Sequence, residues 1–177
     1  MIMLRTLVIL GLCISAIGLI FGGTAEGSYL GVKWHSGKHL IVYDTTSHPQ
    51  WTDALNAAAQ DWNQSPYVKF TVVKADDCGH THAVTVCEFD SPYPPYYAFA
   101  RIYVRNGQWI ANVEIMLNDH EVDWTRDSTV YQRTLCHELG HALGLDYDPN
   151  AADSCMGNGG AHPGVHDYEE LGLLYAK

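Results

Sequence analysis

Basic residues are scarce in this chain: ten Lys and Arg stand against 20 Asp and Glu, a formal charge of −10 at pH 7. A field of that sign repels phosphate backbones and anionic lipid heads, which sets nucleic acid aside as a partner. Internal repeats and low-complexity linkers are lacking too. The 177 residues suffice for one domain with a real core and not for two ordinary ones. The acids show no EF-hand spacing, so Ca2+ has no motif behind it.

Long apolar runs are confined to one, and it is short. Thr6 to Phe21 is almost entirely apolar, follows the lone charge Arg5, and precedes Gly23-Thr24-Ala25, small residues at −3 and −1 of a cleavage after Ala25. This is the layout of a secretory signal peptide over residues 1–25, leaving a domain over 26–177. The run spans about 24 Å as helix against roughly 30 Å of hydrocarbon, which favours removal over a retained anchor. The exported chain then has no stable membrane association. Without Cys13 it keeps Cys78, Cys87, Cys136 and Cys155, an even set that points to two disulfides in an oxidising compartment.

The remaining chain alternates elements. Residues 38–44 form a β-rich run ending in a turn. Trp51, Leu55, Ala58 and Trp62 recur at helical spacing and predict an amphipathic helix over about 49–64. Residues 67–74 and 83–89 read as strands. Residues 98–105, a turn at Asn106-Gly107 and residues 108–117 read as a hairpin. A long helix is predicted over 128–144, capped by Asp127 or Ser128 and ended by Gly144, and a last one through Tyr175 with Asp167 as its cap. The order predicts an α+β or mixed α/β fold, one sheet carrying helices on one side.

Ten His residues are many for this length, and two of them form a chemical motif. His137 and His141 are four apart, so on a helix both imidazoles share one face and reach one metal ion. Glu138 follows the first ligand and reaches a water without occupying the metal. Zn2+ would acidify that water and polarise a scissile carbonyl, while the carboxylate carries the proton to the leaving amine. Gly144 ends the helix so that the chain can turn back, and a small loop with Met156 follows.

His137 to Gly144, followed by Met156, resembles the metzincin clan of zinc metallopeptidases. The HELGHALGL wording is most similar to small secreted matrixin-like bacterial proteases. The resemblance runs from Lys38 to the C-terminus in element order. Its specific motifs lie in residues 136–156 and, more weakly, in His166-Asp167-Tyr168. It implies a single metzincin-like domain: a twisted, mostly parallel sheet with an antiparallel edge strand, an active-site helix, a Met-turn at Met156 flooring the metal, and a C-terminal helix. It implies a monomeric secreted endopeptidase acting on proteins or peptides, with one catalytic Zn2+ on His137 and His141 and Glu138 as general base. It implies that residues 112–118 are the edge strand that pairs with extended substrate. It also implies a Cys136–Cys155 disulfide, because a turn under the metal lies beside the helix carrying His137; Cys78 is then left with Cys87. The cysteine-switch motif that keeps many matrixins latent is absent.

The chain departs from the family where His or Asp is expected as third ligand: Tyr147 stands there, flanked by Asp146 and Asp148. Three accounts remain open. The loop shifts by one residue and an Asp completes the site, with Asp148 preferred because it can swing back past the turn while Asp146 sits close to the helix end. Or Tyr147 binds as phenolate, against an ordinary pKa of about 10. Or the third ligand is missing, and the chain is a non-catalytic secreted binding protein on a degenerate scaffold. His162 and His166 read as a surface and a helix-start residue, and Glu169 and Glu170 lack a supporting motif. Cys78, His80, His82 and Cys87 could hold a structural zinc, an alternative to the disulfide that export favours. The tyrosines of residues 91–97 either contact substrate or decorate a stiff Pro-rich loop.

Overall fold

The computed structural model describes residues 5–9, 29–35, 39–93, 95–122 and 127–176. The expected leader and its cleavage site lie outside them, save for the backbone of residues 5–9.

The elements in chain order are β1 (Arg5–Ile9), β2 (Leu40–Asp44), α1 (Pro49–Trp62), β3 (Phe70–Lys74), β4 (Val84–Phe89), β5 (Ala98–Arg105), β6 (Trp109–Asn118), a 3-10 turn at Asp119–Glu121, α2 (Ser128–Ala142) and α3 (Val165–Tyr175). The sheet runs β1-β5-β6-β4-β2-β3. Strands β3, β2, β4 and β6 are mutually parallel, and β5 is antiparallel to β6. This is the mixed α/β, mostly parallel sheet with an antiparallel strand toward one edge that the sequence implied. Among the described residues no helix is long and apolar enough to cross a membrane.

One expectation is corrected. Residues 112–118 do not form the edge: β6 is hydrogen-bonded to β4 on one side and β5 on the other. The cause is the hairpin. Asn106 (φ 54°) and Gly107 (φ 79°) both take the left-handed conformation that only such residues adopt readily. They fold β5 back along the outside of β6, and a bulge near Tyr103 and Val104 absorbs the extra residue Ala111. The outer side of β5 is paired in turn with β1, antiparallel, from Arg5 opposite Val104 to Ile9 opposite Ala100.

Alternation sets the core. Ala98, Ala100, Ile102 and Val104 of β5, with Val113, Ile115 and Leu117 of β6, are buried while their neighbours are half-exposed. Helix α1 begins with Pro49, whose fixed φ suits a first turn, and buries Trp51, Leu55, Ala58 and Trp62 as its spacing predicts. It packs against α2, and the Trp62 indole donates to the Cys136 carbonyl at 2.9 Å. Tyr29 to His35, with no element assigned to it from sequence, straps the end of α2 to the hairpin. Leu30 N–H donates to Gly144 O at 2.8 Å, and Lys33 pairs with Gln108 and Ile110. The alternation of Leu30, Val32 and Trp34 was its signal in the sequence.

At the end of β2, Asp44 is buried, and its carboxylate accepts hydrogen bonds from Thr46 N–H (2.9 Å), Thr46 Oγ1 (2.7 Å), Thr52 Oγ1 (2.9 Å) and Lys74 Nζ (3.2 Å). Burial works to raise its pKa, but the hydrogen bonds from Thr46, Thr52 and Lys74 outweigh it and hold the group below its ordinary 3.8. A carboxylate with a depressed folded pKa stabilises above its unfolded pKa and loses that stabilisation as pH falls through the folded one. Asp44→Asn is therefore expected to cost about 2 kcal/mol at pH 7. Chemical denaturation should show the gap to the native protein narrowing as pH drops below 3.8. A gap that stays constant down to pH ~2 would mean the charge is irrelevant there.

Candidate metal centre

Helix α2 carries the motif, and its C-terminal end aims it. Asp127 caps the start, accepting from Thr129 N–H at 3.0 Å. At the other end Gly144 takes φ +92°. Gly144 N–H then bonds His141 O at 2.9 Å and Leu145 N–H bonds Gly140 O at 3.1 Å, the paired closure that terminates a helix on a left-handed glycine. The reversal delivers the Leu145 carbonyl to His141 Nδ1 at 2.9 Å. His137 Nδ1 meets the Cys155 carbonyl at 2.8 Å.

Carbonyl oxygens only accept, so each Nδ1 carries its proton and each Nε2 presents a bare lone pair. The two Nε2 atoms face each other at 2.9 Å. Burial, then the neighbouring His141, lowers the pKa of His137 to about 4, and burial lowers that of His141. Both rings are thus neutral at physiological pH, the form in which imidazole ligates a metal.

Glu138 is buried, and its carboxylate takes the Ala100 backbone N–H of β5 while Oε2 has no hydrogen-bond partner. Burial pushes its pKa up to about 8, against the opposing pull of Ala100. Two convergent bare nitrogens and an adjacent buried carboxyl oxygen without a partner are the donor chemistry that a divalent cation satisfies.

The Met156 thioether packs against α2 at Gly140. A Cβ on Gly140, between the two histidines, would come 2.1 Å from Met156 Sδ and 2.9 Å from Trp62 Cζ2. The loop is pinned three ways. Cys155 is bonded to Cys136 with Cα atoms 5.9 Å apart. Ser154 Oγ accepts Met156 N–H at 2.8 Å and bonds Asp167 of α3. Asp167 also accepts Gly164 N–H at 2.6 Å, so it caps α3 from inside the first turn and not from the cap position expected. Cys78 is bonded to Cys87, Cα atoms 6.1 Å apart, which removes the thiolates a zinc site there would need. His80 of that loop stacks on Tyr43 instead.

The third-ligand position is resolved differently for each candidate. The Tyr147 ring lies 6.3 Å from that of His137, and its hydroxyl donates to Asn158 Oδ1 at 2.5 Å. Asp148 accepts Asn150 N–H at 2.9 Å and faces His166 Nδ1 at 3.9 Å. Asp146 accepts Tyr147 N–H through Oδ1, and its charge acts on His137. His162 pairs with Asp61 at 2.8 Å, and Glu170 with His166 at 3.8 Å, while Glu169 is exposed. Among the described residues no group of three His, Cys, Asp or Glu side chains converges as a metal site.

Two solved structures of myroilysin are similar in fold. One aligns over 83% of this chain and 85% of that chain, the other over 82% and 86%, each with TM-score 0.50 and 15% sequence identity. The likeness is one of fold. No family model matches the chain, and no curated protein matches it.

Gly140→Ala discriminates the packing by sign. Helix propensity alone would stabilise α2 by up to about 1 kcal/mol. Displacing Met156 and Trp62 should outweigh this, with a net loss of about 1–2 kcal/mol in thermal unfolding. An alanine variant more stable than the native protein would show that Met156 does not pack on the helix.

Proposed function

We propose that this chain is an exported, zinc-dependent endopeptidase. The observation that carries the reading is the face-to-face pair of bare Nε2 atoms on His137 and His141, each ring fixed by a backbone carbonyl. The fold it shares with myroilysin is consistent with it.

His137 and His141 would hold the ion through Nε2, with Asp146, the acid whose charge acts on His137, as third ligand in preference to Asp148, whose Oδ1 accepts Asn150 N–H. A zinc ion bound there supplies Lewis acidity toward a water and a peptide carbonyl. Glu138, whose carboxyl the charge of a bound cation would hold ionised, would accept the proton of the attacking water at Oε2 and pass it to the departing amine. Met156 and the Cys136–Cys155 bond keep the rings in place beneath. An extended peptide would add to the outer edge of β5, where Ala100 N–H touches Glu138. β1 occupies that edge, and cleavage after residue 25, as the leader reading expects, would free the strand. The two disulfides suit an oxidising compartment.

A second reading, a non-catalytic binding protein, is favoured by the tie between Tyr147 and Asn158, which turns the family's third-ligand position to another use. Two measurements separate the readings. Glu138→Gln is expected to retain one zinc per chain and lose ~10²–10⁴-fold in casein hydrolysis. Native protein that carries zinc but cleaves nothing would establish the binding protein. Asp146→Ala should weaken zinc affinity by at least ~10–100-fold, the loss typical of removing even a supporting group. Asp148→Ala and Tyr147→Phe should weaken it far less. Equal, small effects at all three would leave a two-histidine site.

A further inference from the structure

The connection from β3 to β4 gathers metal-ligating side chains that the centre on α2 does not use: Cys78, His80, His82 and, within β4, Cys87. The two sulfurs are bonded to each other, with Cα atoms 6.1 Å apart. Cys78 is exposed while Cys87 is buried. Cys136 and Cys155 are both buried, at 0% and 1% exposure. A thiolate arriving from solvent therefore reaches the sulfur of Cys78 and not the bond beside His137.

The histidines of this loop carry features that the disulfide alone leaves unexplained. His80 stacks on Tyr43 with ring centroids 3.7 Å apart. Its Nε2 is covered and has no hydrogen-bond partner, for Asp77 Oδ1 lies 3.6 Å away. A covered nitrogen without a partner costs free energy that a bound cation recovers. His82 takes φ 58°; among the described residues the other non-glycine residue with positive φ is Asn106, where the hairpin requires it. Together with Gly79 (φ 94°), His82 bends the segment between the cysteines, and its exposed ring can turn toward the sulfurs.

We propose that residues 78–87 form a redox-gated Zn2+ site, with Cys78, His80, His82 and Cys87 as its four ligands once the disulfide is opened. Two thiolates on one zinc stand roughly 3.8 Å apart, given Zn–S bonds of about 2.3 Å in a tetrahedron. Cα atoms 6.1 Å apart allow this by side-chain rotation. Thr45 Oγ1, 3.3 Å from Cys78 Sγ, can donate to the thiolate. The neighbouring Asp76 and Asp77 add charge of the sign that favours a cation. The opening step needs a dithiol. Its thiolate attacks the Cys78 sulfur and Cys87 leaves as thiolate; the second thiol of the reductant then closes the reductant's own disulfide and releases Cys78. The protein gains two electrons, and Zn2+ displaces the two thiol protons to solvent. The metal would close the loop in a reducing compartment and the disulfide in an oxidising one. None of this depends on the endopeptidase reading.

The test uses the full chain, stripped of metal by a chelator and titrated with Co2+, which occupies zinc sites and shows a charge-transfer absorption only when thiolates ligate it. The oxidised protein should show no such band. After mild treatment with dithiothreitol, two thiols should titrate, and the band should grow to one Co2+ per chain and vanish when Zn2+ is added. Cys78→Ser and Cys87→Ser should each lose most of it. His80→Ala and His82→Ala keep the disulfide, and so the oxidised fold; after reduction each should weaken Co2+ binding at least ~10-fold. His137→Ala should leave the band unchanged, because the centre on α2 offers no thiolate. Two free thiols without a band overturn the proposal. So does a band indifferent to both loop histidines, which would mark a bare dithiolate chelate, or the release of four thiols together, which would show that the opening is not selective.

Discussion

At Gly144 the chain turns back on itself, and no other residue type fits. Its φ of +92° is unfavourable for any side chain, and a Cβ would lie 2.1 Å from the Val32 carbonyl oxygen. From that reversal the site follows. The last carbonyls of a helix have no partners of their own. Here Trp34 Nε1 takes Ala142 O at 2.7 Å, the Tyr175 hydroxyl takes Leu143 O at 2.7 Å, and Leu30 N–H takes Gly144 O at 2.8 Å. Two distant parts of the chain, the strap and α3, are thereby tied to one helix end. The next carbonyl, Leu145 O, is left to orient His141.

The arrangement so fixed is unfavourable by itself. Two nitrogen lone pairs oppose each other, and a carboxyl oxygen is buried without a partner. Each costs free energy in a protein interior. Such groups stay in place only if their surroundings over-determine them. The surroundings do so. The Cys136–Cys155 bond closes a loop of 19 residues in sequence separation, worth about 3 kcal/mol in the chain-entropy view. The Ser154–Asp167 pair fastens the same loop to α3, and Trp62 holds the backbone just before His137. The weak His-Asp-Tyr motif of the sequence thus acts mechanically: Asp167 joins helix cap to floor, and the Tyr168 hydroxyl ties α3 to α1 at Asp61 O.

Features governed by local chemistry were legible in the sequence. The α1 stripe, the Asn-Gly hairpin and the glycine stop of α2 each follow from a few neighbouring residues. Features that depend on tertiary partners were not. That β5 lies between β6 and β1, with β6 inside the sheet, follows from how the hairpin docks, which no local pattern encodes. The strap from Tyr29 to His35 has only one bridge to Leu145 and one to Trp109, too little for a strand, and its alternation was hidden next to the leader. The direction of Glu138 toward Ala100 depends on the same docking.

The proposal of Asp146 ahead of Asp148 as third ligand has a counterpart in the sequence. Asp148-Pro149-Asn150 has turn chemistry: Asp at the first position, Pro at the second with its φ preset. The structure closes that turn with Ala151 N–H on Asp148 O at 3.1 Å, and the Asp148 side chain accepts Asn150 N–H. Asp148 N–H is also bound, to Met156 O at 2.9 Å. Its backbone and one carboxylate oxygen are spent on shaping the loop that leads to Met156. Asp146 precedes the turn, carries no such duty on its second oxygen among the described residues, and is the acid whose field reaches His137.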